Sequence, residues 1–327
     1  MLRYLSLEMV RVTEAAAVAA ARFMGRGDKE AADAAAVEAM RAEFRSVDID
    51  GRVVIGEGEI DEAPMLFIGE QLGSGAPDVQ QVDIAVDPLE GTSITAAGGP
   101  NALACLAIGE RDSMLHAPDT YMAKIAAGSE CKGALDLSLS ATENLGRIAE
   151  CKRMPIAELT VCILDRPRNE DLVAEVRAAG ARIRLIRDGD VSAALAAANP
   201  ASSVDVLLGI GGAPEGVLAA AALRGLDGEM QGQLRFRSRA DRERAIRMGL
   251  TDPDKVFGLR DLAGGDDVIF AATGVTDGDF LKGVRFSSDG ARSHSVVMRS
   301  HTGTVRYVTA YHDFRRKLDF PHNHEDA

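Results

Sequence analysis

The chain has 327 residues, 46% of them hydrophobic and 27% charged, enough for one large globular domain or two subdomains with a substantial core. Its formal net charge of −13 argues against a general nucleic-acid binder, which needs a basic face. It leaves room for an anionic small-molecule substrate, because local cations can reverse the sign inside one cleft. No apolar run reaches the roughly 18 residues of a membrane span. Residues 1–25 carry Arg3, Glu8, Arg11, Glu14 and Arg22 and so lack the apolar stretch of a signal peptide. The four cysteines show no metal or redox spacing. Together these features read as a cytoplasmic protein with free thiols and no membrane association.

Taken in order, residues 1–24 carry apolar positions three and four apart and predict a helix, broken at Gly25-Arg26-Gly27. Asp28 is a plausible N-cap for a second helix to about Phe44. On that helix Asp33 is in register with Val37, Met40 and Phe44, an inward placement for an acid, with Lys29 one turn before it as a possible ion-pair partner. A short buried strand over 52–56 runs into Glu57-Gly58-Glu59-Ile60-Asp61-Glu62, where Glu57, Glu59 and Asp61 share one face of an extended chain. Val82, Ile84 and Val86 alternate as a strand expected to stop at Asp87-Pro88, followed by Leu89-Glu90-Gly91-Thr92. Strands are expected over 102–108 and near Tyr121, and a helix over 141–151. From residue 160 the rhythm becomes strand (160–164), helix (169–179), strand (182–186), helix (191–198), strand (204–208), glycine loop (209–213) and helix (214–223), which implies a parallel α/β sheet. Residues 235–247 read as an exposed helix or linker, and four late strands lie over 268–272, 283–286, 293–298 and 304–309.

Two acids three residues apart at a strand end, Asp87 and Glu90, converge on a small volume and call for a cation or a protonation change. Oxygen-only ligands suit a hard divalent ion such as Mg²⁺ or Mn²⁺. Asp33, Glu57 and Glu215 are further acids in suggestive positions. Gly209-Ile210-Gly211-Gly212-Ala213-Pro214-Glu215-Gly216 opens a helix and presents backbone N–H groups to an anion. It departs from a dinucleotide fingerprint at Pro214, and there is no P-loop. Arg166 and Arg168 follow one strand, and Asp188 and Asp190 the next, where ligands bind in such sheets. Arginine, carboxylate and backbone N–H in succession suggest a polyol phosphate. A non-catalytic sugar-phosphate sensor and an NAD-dependent oxidoreductase are the rival classes.

Asp87-Pro88-Leu89-Glu90-Gly91-Thr92 resembles the signature of the lithium-sensitive sugar and inositol phosphatases. The longer segments Gly25–Lys29, Val54–Met65, Ala117–Met122 and Gly209–Gly216 resemble class II fructose-1,6-bisphosphatases, and the similarity runs to about residue 310. The resemblance implies a layered α/β sandwich of two subdomains, a metal-binding one over 1–150 and a substrate-binding one over 151–327, with the late strands and tail packing back on the first. It implies Mn²⁺ or Mg²⁺ held by Asp33 and Glu57 and by Asp87, Glu90 and Glu215. Substrate would lie against Glu90, Gly91, Thr92, Tyr121, Arg166, Pro167, Arg168, Asp188, Gly189, Asp190 and Gly212. The expected reaction is hydrolysis of the 1-phosphate of fructose 1,6-bisphosphate, with Thr92 orienting water, Glu57 or Asp61 accepting its proton, and Lys29 stabilising charge at Asp33 or on phosphate. The alternatives are a dual fructose-1,6-/sedoheptulose-1,7-bisphosphatase or an inositol-phosphatase-like enzyme, in each case as a homodimer or homotetramer.

Overall fold

The structure, a computed structural model, describes residues 2–58 and 65–316. Asp61, together with Glu59, Glu62 and the tail histidines His322 and His324, lies outside the described residues. In chain order the elements are α1 (Leu5–Ala21), α2 (Lys29–Phe44), β1 (Ile49–Ile55), β2 (Gln71–Leu72), β3 (Gln80–Glu90), α3 (Thr92–Ala97), β4 (Leu103–Glu110) and β5 (Tyr121–Ala127). They continue with α4 (Ala141–Lys152), β6 (Thr160–Leu164), α5 (Glu170–Ala178), β7 (Arg182–Ile186), α6 (Asp190–Ala198), β8 (Val206–Gly212), α7 (Ala213–Leu226), β9 (Glu229–Arg235) and α8 (Arg239–Arg247). The last are β10 (Val256–Gly258), α9 (Leu259–Leu262), β11 (Ile269–Gly274), β12 (Arg285–Ser287), β13 (Gly290–Arg299) and β14 (Thr304–Asp313).

Two sheets form. The first has the order β12-β13-β11-β4-β3-β1-β2, with β14 also paired to β13; the second has the order β10-β9-β5-β8-β6-β7. Each draws on both halves of the chain. The alternation of side chains sorts them into layers. In the first sheet Val82, Ile84, Leu106, Ile108, Ile269 and Val297 pack on one face against α1 and α2. Ala85, Cys105, Ala107, Phe270 and Val296 pack on the other face with Val217, Leu218 and Leu195 from α7 and α6. The second sheet presents Met122, Cys162 and Leu207 to that same middle layer, while Ile125, Val161, Ile163 and Val206 face α4 and α5. The result is helix, sheet, helix, sheet, helix, a mixed α/β sandwich of two sheets flanked by helices. Small side chains in α7, Ala219 to Ala222, let one helix fit closely between the sheets.

Three expectations change. The second sheet is mixed, since β6 runs parallel to β7 and β8 but β5, β9 and β10 are antiparallel. The glycines 209–212 form the end of β8 instead of a loop, because β5 pairs along their whole length from Lys124↔Gly209 to Tyr121↔Gly212. Likewise β3 does not stop at Asp87-Pro88: pairing with β4 resumes at Glu90↔Leu103 after an irregularity. A bulge there absorbs the missing proline donor and turns the Glu90 side chain to a new direction.

Candidate active site

The site forms where β3 ends and the middle helices begin. Asp87 has the phase of Ala85 on β3, so it points away from α1 and α2 toward the layer that holds α6 and α7. Glu90 follows the bulge and is buried. Its carboxylate accepts from the backbone N–H of Val191 and, at 3.2 Å, of Ser192. The N-terminus of α6 thus receives a negative side chain, which the helix dipole favours. Gly91 then adopts φ +94°, a left-handed conformation that glycine enters without a Cβ penalty, and Thr92 begins α3 half-buried.

Asp33 arrives from the other side. The turn before α2 docks on α3 through Gly25 N–H to Thr95 O and Gly27 N–H to Ala96 O, both 2.9 Å. Asp28 caps α2 by accepting from Ala31 N–H at 2.9 Å. Lys29 is exposed and pairs with Glu30 at 3.6 Å, so the expected Lys29–Asp33 pair is absent among the described ion pairs. The exposed first turn of α2 offers Lys29 a freer acid. Glu57 leaves β1 with its N–H bonded to Leu66 O at 3.0 Å. That loop is tied down by Ile68 N–H to Gly58 O at 2.9 Å and by the 2.6 Å pair of Arg41 with Glu70.

These acids act on one another. Burial, then the charges of Asp33, Glu215 and Asp119, push the Glu57 carboxyl up to about 8. Burial, then Glu57, Glu90, Glu215 and Asp188, raise Asp87 well above the usual carboxylate range. Burial raises Glu90 as well, opposed by the Val191 N–H and reinforced by Asp190, Asp188 and Glu215. Asp33, Asp188 and Glu215 are also raised, chiefly by burial. So Asp33, Glu57, Asp87, Glu90 and Glu215 lie close enough to act on one another by charge. Among the described residues no three of them bring an oxygen each within 4.8 Å of the others.

The substrate candidates surround this field. Asp190 is the first residue of α6, and Glu215 lies in the first turn of α7. A Cβ on Gly211 would collide with the Asp190 carboxylate and Leu164 Cδ1, and one on Gly212 would displace the Glu215 carboxylate. Arg168 lies over the Tyr121 ring with its guanidinium carbon 4.3 Å from the centroid, and its Nε donates to Ile210 O at 2.9 Å. Asn169 ties the end of β6 to β8 by bonds to Leu164 O and Ile210 O and from Ile210 N–H. Arg166 is half-buried and acts on Asp188 by its charge, while Pro167 is exposed.

Sequence reasoning passed over three groups. Asp119 is close enough to act on Glu57. Arg237 also lies by the Tyr121 ring, its guanidinium carbon 5.9 Å from the centroid, and donates to the Asp119 carbonyl. Lys124 is 2% exposed and donates to Asp190 and, at 2.9 Å, to Gly212 O. The signal for Lys124 was legible, since it shares the buried phase of Met122 and Ala126 on β5.

An oxygen-only donor set in which burial and mutual repulsion disfavour charge fits a hard divalent cation. Glu215 Oε2 and Asp190 Oδ1 are sealed from solvent with no hydrogen-bond partner, which agrees with that fit. A separate cluster, Asp83 with Asp112 and His116, brings ligand atoms within 4.8 Å of one another and is also capable of holding a metal ion. There Arg52 already donates to Asp83 at 2.8 Å and to Asp112 at 2.7 Å, supplying positive charge.

Comparison with known proteins agrees with the geometry. Residues 3–312 match the family described as bacterial fructose-1,6-bisphosphatase, glpX-encoded. A D-fructose 1,6-bisphosphatase class 2/sedoheptulose 1,7-bisphosphatase of Trichodesmium erythraeum is 47% identical over 332 residues, covering 95% of this chain and 96% of its own. Proteins of the same description from Thermosynechococcus vestitus and Synechococcus elongatus are 48% and 47% identical, covering 96% and 95% of this chain and 97% and 96% of theirs. With a family match over nearly its whole length, and with the acids of that signature gathered at one strand end, the chain belongs to the glpX-encoded class II fructose-1,6-bisphosphatases and is a phosphoric monoester hydrolase.

Proposed function

We propose that this enzyme removes the 1-phosphate from both fructose 1,6-bisphosphate and sedoheptulose 1,7-bisphosphate. The narrower expectation of fructose 1,6-bisphosphate alone is less well supported, because the similar proteins above are described with both activities. The observation that carries the reading is the shared field of Asp33, Glu57, Asp87, Glu90 and Glu215 beside the Gly91-Thr92 turn. Divalent cations, Mn²⁺ or Mg²⁺, held by Asp33 and Glu57 and by Asp87, Glu90 and Glu215, would neutralise phosphate oxygens and make water easier to deprotonate.

The chain's own residues do the rest. Thr92 orients the attacking water, and Glu57 or Asp61 accepts its proton. Gly91 lets the phosphate approach the backbone closely. Arg168, with Tyr121 beneath its guanidinium, and Arg166 take the far phosphate, and Asp188, Gly189, Asp190 and Gly212 take the sugar hydroxyls. Exposed Lys29 faces solvent at the start of α2, from which it attracts the anionic substrate.

The deciding experiment measures phosphate release from both bisphosphates and from inositol 1-phosphate, with Mn²⁺, Mg²⁺ or EDTA. Comparable kcat/KM on the two bisphosphates, abolished by EDTA and restored by metal, is expected. Release from neither bisphosphate overturns the reading, and release from inositol 1-phosphate alone replaces it. A homodimer or homotetramer is part of the proposal, supported by β14, whose ten residues pair on one side only among the described residues and leave Tyr307 and Tyr311 exposed. A monomer in sedimentation at micromolar concentration would reject that part.

A further inference from the structure

Lys124 has no place in the reaction just described. It is the one fully buried lysine among the described residues, and it sits in the interior of β5. A lysine there must be paired to remain charged. Its ammonium donates to the Asp190 carboxylate at the start of α6 and to the Gly212 carbonyl immediately before α7. One side chain from the second sheet thereby ties together the N-termini of both middle helices. The α6 terminus holds Glu90, and the α7 terminus carries Glu215. A Cβ on Gly216 would strike Met122 Sδ and touch the Lys124 Cδ, and one on Gly211 would strike the carboxylate that Lys124 holds. Its positive charge is paired with Asp190 and opposes the upward push on Glu215.

We propose that Lys124 is the positioning residue of this site: it fixes Asp190 toward the sugar and cancels one negative charge, so that a phosphate anion can enter a pocket built from carboxylates. The proposal rests on the phosphatase reading, and it makes a prediction that general structural support does not. Removing the lysine charge leaves the acids one unit more negative. Metal binding should then hold or tighten, while anion binding weakens. A residue that merely supports the fold would weaken both together.

The test is Lys124→Met, which conserves much of the volume. Calorimetry of the folded protein with Mn²⁺ alone should give wild-type or tighter affinity. Inorganic phosphate in the presence of Mn²⁺ should bind about tenfold or more weakly, the scale of one charge-assisted contact. KM for fructose 1,6-bisphosphate should rise by a similar factor, with a smaller change in kcat. Parallel weakening of Mn²⁺ and phosphate, or no change in phosphate binding, overturns the proposal. Should the single variant not fold, Lys124→Met with Asp190→Asn removes one charge of each sign and restores the local balance. Mn²⁺ and inorganic phosphate binding both near wild type then support the proposal, and phosphate binding weakened about tenfold with the balance restored overturns it. The calorimetric readouts do not depend on turnover, so absence of phosphate release by the wild-type enzyme rejects the phosphatase reading separately.

Discussion

At the scale of single residues, chemistry depends on a few groups whose environments are unlike water. Thr92 begins a short helix directly after a left-handed glycine, beside acids that burial has made reluctant to ionise. Thr92→Ala is expected to reduce phosphate release about 100-fold or more, the usual contribution of a group that positions a proton transfer. Mn²⁺ binding by calorimetry should be preserved, and near-normal turnover would remove Thr92 from the mechanism. Asp267 shows the opposite use of a carboxylate. Burial pushes it up, but two hydrogen bonds from Arg299, at 2.8 Å from Nε and a shorter one from Nη2, hold it below the usual range. Its contribution to stability is therefore full above the unfolded value near 3.8 and is lost as pH falls through the lower folded value. Asp267→Asn should lower stability at pH 7 by about 2 kcal/mol, and should flatten the loss of stability below about pH 4. Denaturant melts at several pH values would show this, and an unchanged acid limb would contradict it.

Elements place those residues through their ends. Strand β3 delivers Asp87 by simple alternation, but Glu90 only because a bulge at Pro88 changes its phase. The turn that follows requires Gly91 at φ +94°, where an added Cβ would also stand 3.1 Å from Ile94 Cδ1. Gly91→Ala should cost about 1–2 kcal/mol of stability, the penalty of a side chain in the left-handed region. It should also reduce phosphate release by displacing Thr92. A variant with wild-type melting would mean that the turn adopts another conformation. The residues that open α6 and α7 are legible in sequence as acids after glycines, Gly189-Asp190 and Gly212 to Glu215. Their convergence was not, since it depends on β5 pairing with β8, which lets Lys124 donate to the Gly212 carbonyl 88 residues along the chain.

For the whole molecule, α7 is the shared layer. It packs against β3, β4, β11 and β13 of the first sheet and against β5, β8 and β9 of the second. Ala219 to Ala222 form a buried run of small side chains in it, so neither sheet can yield to a larger side chain there without disturbing the other. Ala220→Leu should therefore cost about 1–3 kcal/mol in denaturant unfolding. Because Glu215 is on the same helix, phosphate release should fall as well. Tolerance of leucine there would show that the two sheets can move apart.

The helices and most strands follow from local pattern, because a period of 3.6 or 2 in apolar residues is a property of the chain itself. The β6-α5-β7-α6 succession reads directly, and so does the Asp28 cap of α2. The acid signature Asp87 to Thr92, with the longer motifs, was enough to identify the family. Sheet order, the antiparallel β5, β9 and β10, and the strand character of Gly209 to Gly212 required tertiary pairing, because a glycine run has no side chains to show a period. The same reason separates Lys29 from Lys124. Only packing decides that Lys29 stays in water beside Glu30 while Lys124 is enclosed between two helix ends with Asp190.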